Sequence, residues 1–376
     1  MRGVVPMGAE MKSEERTGGG LVIDTIEALR VYEAGKPIEE VARELGVTDA
    51  VKLASNENPL GPSPRAIEAA RSALQGVHRY PDAAAYRLRE ALAARHGVRM
   101  AEVIQGNGSN ELLDLLVRTF TTREHHVVFA DPAFVVYRMA AMAHGTPFTA
   151  VPLRDLTHDL EAMAAAVTPA TRLLFVANPN NPTGTYVGQK AVEELLTRVP
   201  PEVIVVMDEA YFEYADAADY PDSLKLRHLR ERLVVLRTFS KIYGLAALRI
   251  GYAIGPAPII DYLNRLRNPF NVGTVGQVAA LAALDDADHV ARSRAMNGSE
   301  RARVTAELER MGLSVAPSQA NFVFVDLRRD GREVYERLLR LGVIVRALGP
   351  GTCVRITVGL PEENTRLLGA LKAVLG

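Results

Sequence analysis

Lys241 closes the stretch Arg237-Thr-Phe-Ser-Lys241, which carries the chain off the end of an apolar run, Leu233-Val-Val-Leu236, that reads as a buried strand. A lysine at such a turn, flanked by the hydroxyls of Thr238 and Ser240 and followed by Arg249, has a specific chemical use. It can hold an aldehyde cofactor as a Schiff base while its neighbours anchor a phosphate. Taken alone the stretch also fits a lysine that merely caps a strand and points to water, because short motifs match by accident.

Other polar residues stand in the same position relative to other apolar runs. Leu173–Ala177 leads into Asn178-Pro-Asn-Asn-Pro-Thr-Gly184, Val203–Met207 into Asp208-Glu-Ala-Tyr211, and Val127–Ala130 into Asp131-Pro-Ala-Phe134. With Ile250–Ile254, these runs alternate with helical stretches at Asn110–Phe120, Leu160–Val167 and Gln189–Arg198. Continuous apolar strands alternating with helices predict a mainly parallel sheet covered on both faces. Ligands of such sheets gather beyond the carboxyl ends of the strands. One carboxylate, one amide, one phenol and one lysine therefore converge on one sheet edge.

The elements that must hold this edge fill most of the chain. Residues 1–21 read as a disordered leader and residues 22–54 as an amphipathic arm, broken at Gly35-Lys-Pro37, that must lie on another surface to be stable. Residues 55–272 form the expected large domain, with helices at 64–75 and up to His96. Residues 273–376 form a smaller α+β domain, in which one long helix from Gln277 to about Gly312 precedes strands at Phe322–Leu327, Val343–Ala347 and Val354–Val358. Helices are expected there at Arg332–Leu341 and Glu362–Leu375.

Composition restricts the function classes. With 376 residues, 48% hydrophobic content and a net charge of −1, nothing favours nucleic acid or a membrane surface. No run approaches membrane-spanning length, the single Cys353 excludes an internal disulfide and reads as a small apolar filler, no metal is expected, and the cytoplasm is the default location.

The motifs in order are Gly35-Lys-Pro-Ile-Glu-Glu40, Leu53-Ala-Ser-Asn-Glu-Asn-Pro59, Arg79-Tyr-Pro-Asp82, Gly106-Asn-Gly-Ser-Asn-Glu111, Asn180-Asn-Pro-Thr-Gly184, Asp208-Glu-Ala-Tyr211, the Lys241 stretch, Ala320-Asn-Phe322 and Arg355-Ile-Thr357. In this order and spacing the chain resembles the fold-type I pyridoxal-phosphate aminotransferases, and within them the histidinol-phosphate aminotransferase family. The resemblance implies an α/β fold, with a mainly parallel sheet in the large domain beside the α+β domain. It implies pyridoxal phosphate as cofactor, and transamination between glutamate/2-oxoglutarate and histidinol phosphate/imidazole-acetol phosphate. An aromatic amino-acid aminotransferase or a related amino-acid phosphate decarboxylase would use the same residues.

By the same resemblance, Lys241 bonds the cofactor and moves the substrate proton, Asp208 sits against the pyridine nitrogen, and Tyr211 and Asn181 bond the ring's phenolic oxygen. Phe134 lies on the ring face. The amides of Gly108, Ser109 and Asn110 at a helix N-terminus, with Thr238 or Ser240 and Arg249, form the phosphate cup. A dinucleotide fingerprint is rejected there because Glu111 holds the third glycine position, where a carboxylate would repel a pyrophosphate. Tyr80 is expected to reach the cofactor phosphate of a second subunit, which implies a homodimer. Arg355 is assigned to the α-carboxylate, Arg346 and Tyr32 to the substrate phosphate, and Asn56 and Asn321 to further polar contacts in the substrate pocket. Two departures from the family pattern, Ala247 beside the phosphate arginine and the segment Asn271–Gln277, bear on substrate preference rather than on the cofactor.

Overall fold

The computed structural model describes residues 21–29, 31 and 35–376. The central apolar runs form one seven-stranded sheet in the spatial order Val103–Gly106, Gly251–Ile254, Leu233–Thr238, Ile204–Asp208, Thr171–Ala177, His126–Asp131, Phe148–Pro152. Every neighbouring pair is parallel except those made by Gly251–Ile254, which runs antiparallel to both of its neighbours. Its apolar run looks like the others because direction leaves no trace in composition. Val103–Gly106 and Phe148–Pro152 were not foreseen from the sequence. The first is short and ends in Gly106; the second lies at the sheet edge, where its residues are half covered.

Alternation along each strand explains why the runs are apolar throughout. Leu173, Phe175, Val206, Val234 and Leu236 pack on one face with the helix Gly108–Phe120, while Leu174, Val176, Val205, Met207, Leu233 and Val235 pack on the other with Val192, Leu195 and Leu196. Each such side chain contributes about 1.5–3 kcal/mol by leaving water. The same alternation puts Asp208, two residues beyond Val206, on the face covered by the Gly108–Phe120 helix.

A four-stranded antiparallel sheet, in the order Arg346–Ala347, Cys353–Thr357, Phe322–Asp326, Ser314–Val315, packs with the helices Gly331–Arg340, Pro361–Leu375 and Ala287–Arg310. Two readings of this region need correction. The long helix is two, Thr274–Leu284 and Ala287–Arg310, because Asp286 turns its carboxylate onto the His289 amide and starts a new helix. The strand Val343–Ala347 is also two: Val343–Ile344 pairs in parallel with Val51–Lys52, and only Arg346–Ala347 joins the four-stranded sheet.

The arm contributes the short helices Asp24–Glu27 and Ile38–Leu45. Val41, Leu53 and Ala54 are buried in the same core as Val343 and Leu367. Cys353 is a half-buried strand residue whose thiol burial pushes up, so it behaves as filler.

Candidate functional site

A cavity of about 200 Å³ opens at the carboxyl ends of the central strands. The sheet brings Asp208 and Thr238 there directly, as the last residues of adjacent strands. The following loops add Asn181, Tyr211, Ser240 and Lys241, and the loop after His126–Asp131 adds Phe134. From across the cavity come Ser109, Asn110 and Arg249 on one side, and Asn56, Arg346 and Arg355 on the other.

Asp208 lies at the floor, 4% exposed. Its Oδ2 accepts a 2.8 Å hydrogen bond from the Tyr137 hydroxyl, while Oδ1 is buried with no hydrogen bond among the described residues. Burial pushes its pKa up to about 6 against the opposing pull of the Tyr137 hydroxyl. The Ala210 amide also favours the charged form, though it closes no hydrogen bond to Oδ1. A carboxylate kept half-satisfied in this way suits a ligand that brings its own N–H. Sequence reasoning missed Tyr137, although the same segment supplied Phe134. The Tyr137 ring stands edge-on to Phe134 at 6.0 Å and stacks on Phe175 at 5.0 Å.

Lys241 Nζ stands 5.4 Å from the centre of the Tyr211 ring. Tyr211 is 4% exposed, and its hydroxyl accepts from Asn56 Nδ2 at 2.9 Å. Burial raises the phenol's pKa, and Arg355 and the Asn56 hydrogen bond oppose the shift.

The opposite end of the cavity is built for an anion. The helix Gly108–Phe120 aims its N-terminus there, presenting Ser109 and Asn110. Gly108 has φ +73°, and a Cβ on it would come within 2.6 Å of the Arg249 guanidinium. Gly108 does not line the cavity; its bare backbone is what lets the arginine lie along it. Arg249, itself at φ 51°, donates to the Ser240 hydroxyl at 3.4 Å and to the Ala246 carbonyl at 3.0 Å. Gly251 shows a second close approach, since a Cβ there would lie 2.6 Å from the Ser109 nitrogen. Glu111 turns back, accepting from the Asn107 amide at 2.5 Å and from Asn271 Nδ2 at 2.6 Å. It therefore pins the loop and stays out of the anion site.

Arg355, 9% exposed, donates to Asn181 Oδ1 at 2.7 Å and to the Ala54 carbonyl at 2.6 Å. The Asn181 oxygen is thus committed to the arginine, and the NH2 is the end it offers to a ligand.

Besides Gly108, three residues assigned to the site from the sequence stand away from the cavity or lie outside the described residues. Asn321 is buried behind the cavity, donating to the Asn56 carbonyl at 3.0 Å, so it supports a pocket residue rather than lining the pocket. Tyr80 is 83% exposed and stacks on Phe270 at 4.7 Å, away from this chain's own cavity. Tyr32 lies outside the described residues. Gly35, Ser55 and Pro179 also line the cavity; they stand inside motifs read from the sequence, but no ligand contact is assigned to them there.

The chain is similar to known proteins over nearly its whole length. The family model for aminotransferase class I and II matches residues 48–371. A histidinol-phosphate aminotransferase of Moorella thermoacetica is 50% identical over 356 residues, 94% of this chain and 92% of that one. Histidinol-phosphate aminotransferase 2 of Pseudomonas aeruginosa is 50% identical over 355 residues, covering 93% and 96% of the two chains. Among solved structures, histidinol-phosphate aminotransferase from Sinorhizobium meliloti in complex with pyridoxal-5'-phosphate superposes with a TM-score of 0.86 at 30% identity, over 95% of this chain and 98% of that one.

Proposed function

The chain belongs to the class I and II aminotransferase family, and from that membership we propose that it is a pyridoxal-phosphate enzyme exchanging an amino group between glutamate/2-oxoglutarate and histidinol phosphate/imidazole-acetol phosphate. The observation that carries this reading is the half-satisfied Asp208. Its buried Oδ1 lies on the floor of a cavity with a lysine, a phenol and an amide around it and an anion site at the far end. Those residues fit a flat, phosphate-bearing pyridine ring. The names of the Moorella and Pseudomonas relatives support histidinol phosphate as one substrate.

When bound, pyridoxal phosphate supplies an aldehyde carbon that bonds to amines and a ring that accepts the electrons left by a departing α proton. Asp208 would keep a proton on the ring nitrogen, because only a proton there meets its orphaned oxygen. Lys241 would hold the cofactor through Nζ and, once freed by the incoming amine, carry the proton away from the substrate's α carbon. Tyr211 and Asn181 would donate to the phenolic oxygen, and Phe134 would cover the ring. Ser109, Asn110, Thr238, Ser240 and Arg249 would hold the phosphate. Arg355 would take the substrate α-carboxylate as a planar fork, with Arg346 left for the phosphate of the second substrate.

We also assign the exposed Tyr80–Phe270 stack to a homodimer contact through which Tyr80 serves the partner's site. The unit built on residues 55–272 and the unit built on residues 273–376, with the arm, would enclose the cavity as two domains. No helix among the described residues is long and apolar enough to cross a membrane, and we place the enzyme in the cytoplasm.

Borohydride treatment of the cofactor-loaded protein, followed by peptide mass spectrometry, should fix the cofactor on Lys241. Steady-state rates should favour histidinol phosphate over phenylalanine, with no carbon dioxide released. A tenfold preference for phenylalanine, about 1.4 kcal/mol of transition-state binding, would overturn the substrate assignment.

A further inference from the structure

Asn56, placed among the substrate contacts from sequence, makes its hydrogen bonds elsewhere. It is 1% exposed and sits in the left-handed region at φ 56°, a conformation that costs a non-glycine residue about 1 kcal/mol. Three contacts hold it there. Its backbone N–H donates to Thr357 Oγ1 at 2.9 Å, its carbonyl accepts from Asn321 Nδ2 at 3.0 Å, and Thr357 Oγ1 donates to its Oδ1 at 3.1 Å.

The hydroxyl of Thr357 settles which end of the Asn56 amide faces which way. That oxygen already accepts from a backbone N–H, whose direction is not negotiable, so its single proton goes to Oδ1. The opposite orientation would make the hydroxyl accept twice and leave its proton without an acceptor. Nδ2 therefore faces Tyr211, whose oxygen accepts at 2.9 Å. A phenol that accepts from Asn56 cannot also donate to it. No protein acceptor takes the Tyr211 proton among the described residues, so that proton is presented to the cavity.

Resting on the reading above, we propose that Asn56 and Thr357 are positioning residues that fix Tyr211 as a hydrogen-bond donor toward the phenolic oxygen of pyridoxal phosphate. The chain of polarity runs from the Asn56 backbone through Thr357, through the Asn56 amide, to Tyr211. A donor at that oxygen keeps it anionic and lowers the proton affinity of the Lys241 nitrogen beside it. The other charged groups facing the phenol are Arg355, which favours its ionisation, Asp208, which opposes it, and Lys241 Nζ. None of them can replace the amide as the group that orients the hydroxyl, since none has its directed donor-and-acceptor pair.

The test is a pH titration of the visible absorbance of the cofactor-loaded protein. Asn56→Asp is nearly isosteric but offers only acceptors, so it draws the Tyr211 proton back out of the cavity. The midpoint should rise by about 1 pH unit, the scale of losing one hydrogen bond to a single protonation state, as in Tyr211→Phe. In a Tyr211→Phe background the same substitution should add less than about 0.3, because its effect passes through the lost hydroxyl. Thr357→Val, which frees the amide to turn, should shift the midpoint in the same direction, and Thr357→Ser should restore it. The Thr357 pair decides the matter if Asn56→Asp fails to fold. An unmoved midpoint, or a full shift that persists without the Tyr211 hydroxyl and so reports only the new charge, overturns the proposal while leaving the enzyme assignment intact. Wild-type protein that takes up no cofactor and shows no visible band overturns both.

Discussion

Asp208 shows how a single side chain can be costly to the fold and useful to the site. Its folded pKa of about 6 lies above the ordinary 3.8, so the folded protein binds this proton more tightly than the unfolded chain. Between those values stability falls as pH rises, and above about 6 the full penalty is present. In cofactor-free protein, Asp208→Asn should therefore unfold at higher urea than wild type at pH 8, by roughly 1–3 kcal/mol, with the gain vanishing near pH 4. On the role proposed for Asp208, the same variant should lose at least about a hundredfold in turnover, since an amide cannot keep a proton on a ring nitrogen. Equal stabilisation at both pH values would mean that charge burial is not its cause. Asn321 teaches the complementary lesson at this scale. The sequence marks it as polar beside a strand, and only the coordinates put it behind Asn56 rather than beside it.

At the scale of elements, the spacing of Asp208 and Lys241 depends on two adjacent parallel strands staying in register. A buried ion pair ties them together. Arg237 donates to Glu209 Oε2 at 3.0 and 2.8 Å and to Asp222 at 2.7 Å, and its guanidinium stacks over Phe212 at 3.5 Å. The Glu209 side chain is 1% exposed and that of Arg237 5%. Arg237→Met should cost roughly 3–5 kcal/mol in urea unfolding, because it strands a buried carboxylate. Adding Glu209→Gln should recover a large part of that loss, and no recovery would refute the ion-pair account. Five of the seven strands of the large sheet were readable from the apolar runs because both sheet faces are covered there. The antiparallel direction of Gly251–Ile254 and the split at Ile344 were not readable, since direction and partner choice are set by distant segments. The break between the two helices near Asp286 was visible in principle, as an N-cap signal inside a helical run.

At the scale of the whole molecule, Tyr80 and Lys241 provide a test of shared sites. On the homodimer proposed above, the Tyr80→Ala and Lys241→Ala proteins should each be impaired, the second to background. Mixing them under conditions that exchange subunits should restore activity, because one site of each mixed dimer then draws its lysine from one chain and its tyrosine from the other. Activity that never exceeds the sum of the parents would exclude a shared site.

The amino-acid sequence by itself marked most of the polar residues of the site and their place after apolar strands. Residues that end apolar strands stay at the strand ends, so Asp208 and Thr238, with Lys241 three residues further on, were fixed as strand-end residues, and the parallel pairing of the two strands then brought them to one edge. Tertiary structure decided which polar atoms are satisfied and in which direction. Tyr137 reaches Asp208 across 71 positions, and Thr357 orients Asn56 across 301. Hydrogen-bond polarity is a property of pairs brought together by folding, and no local pattern of residues carries it.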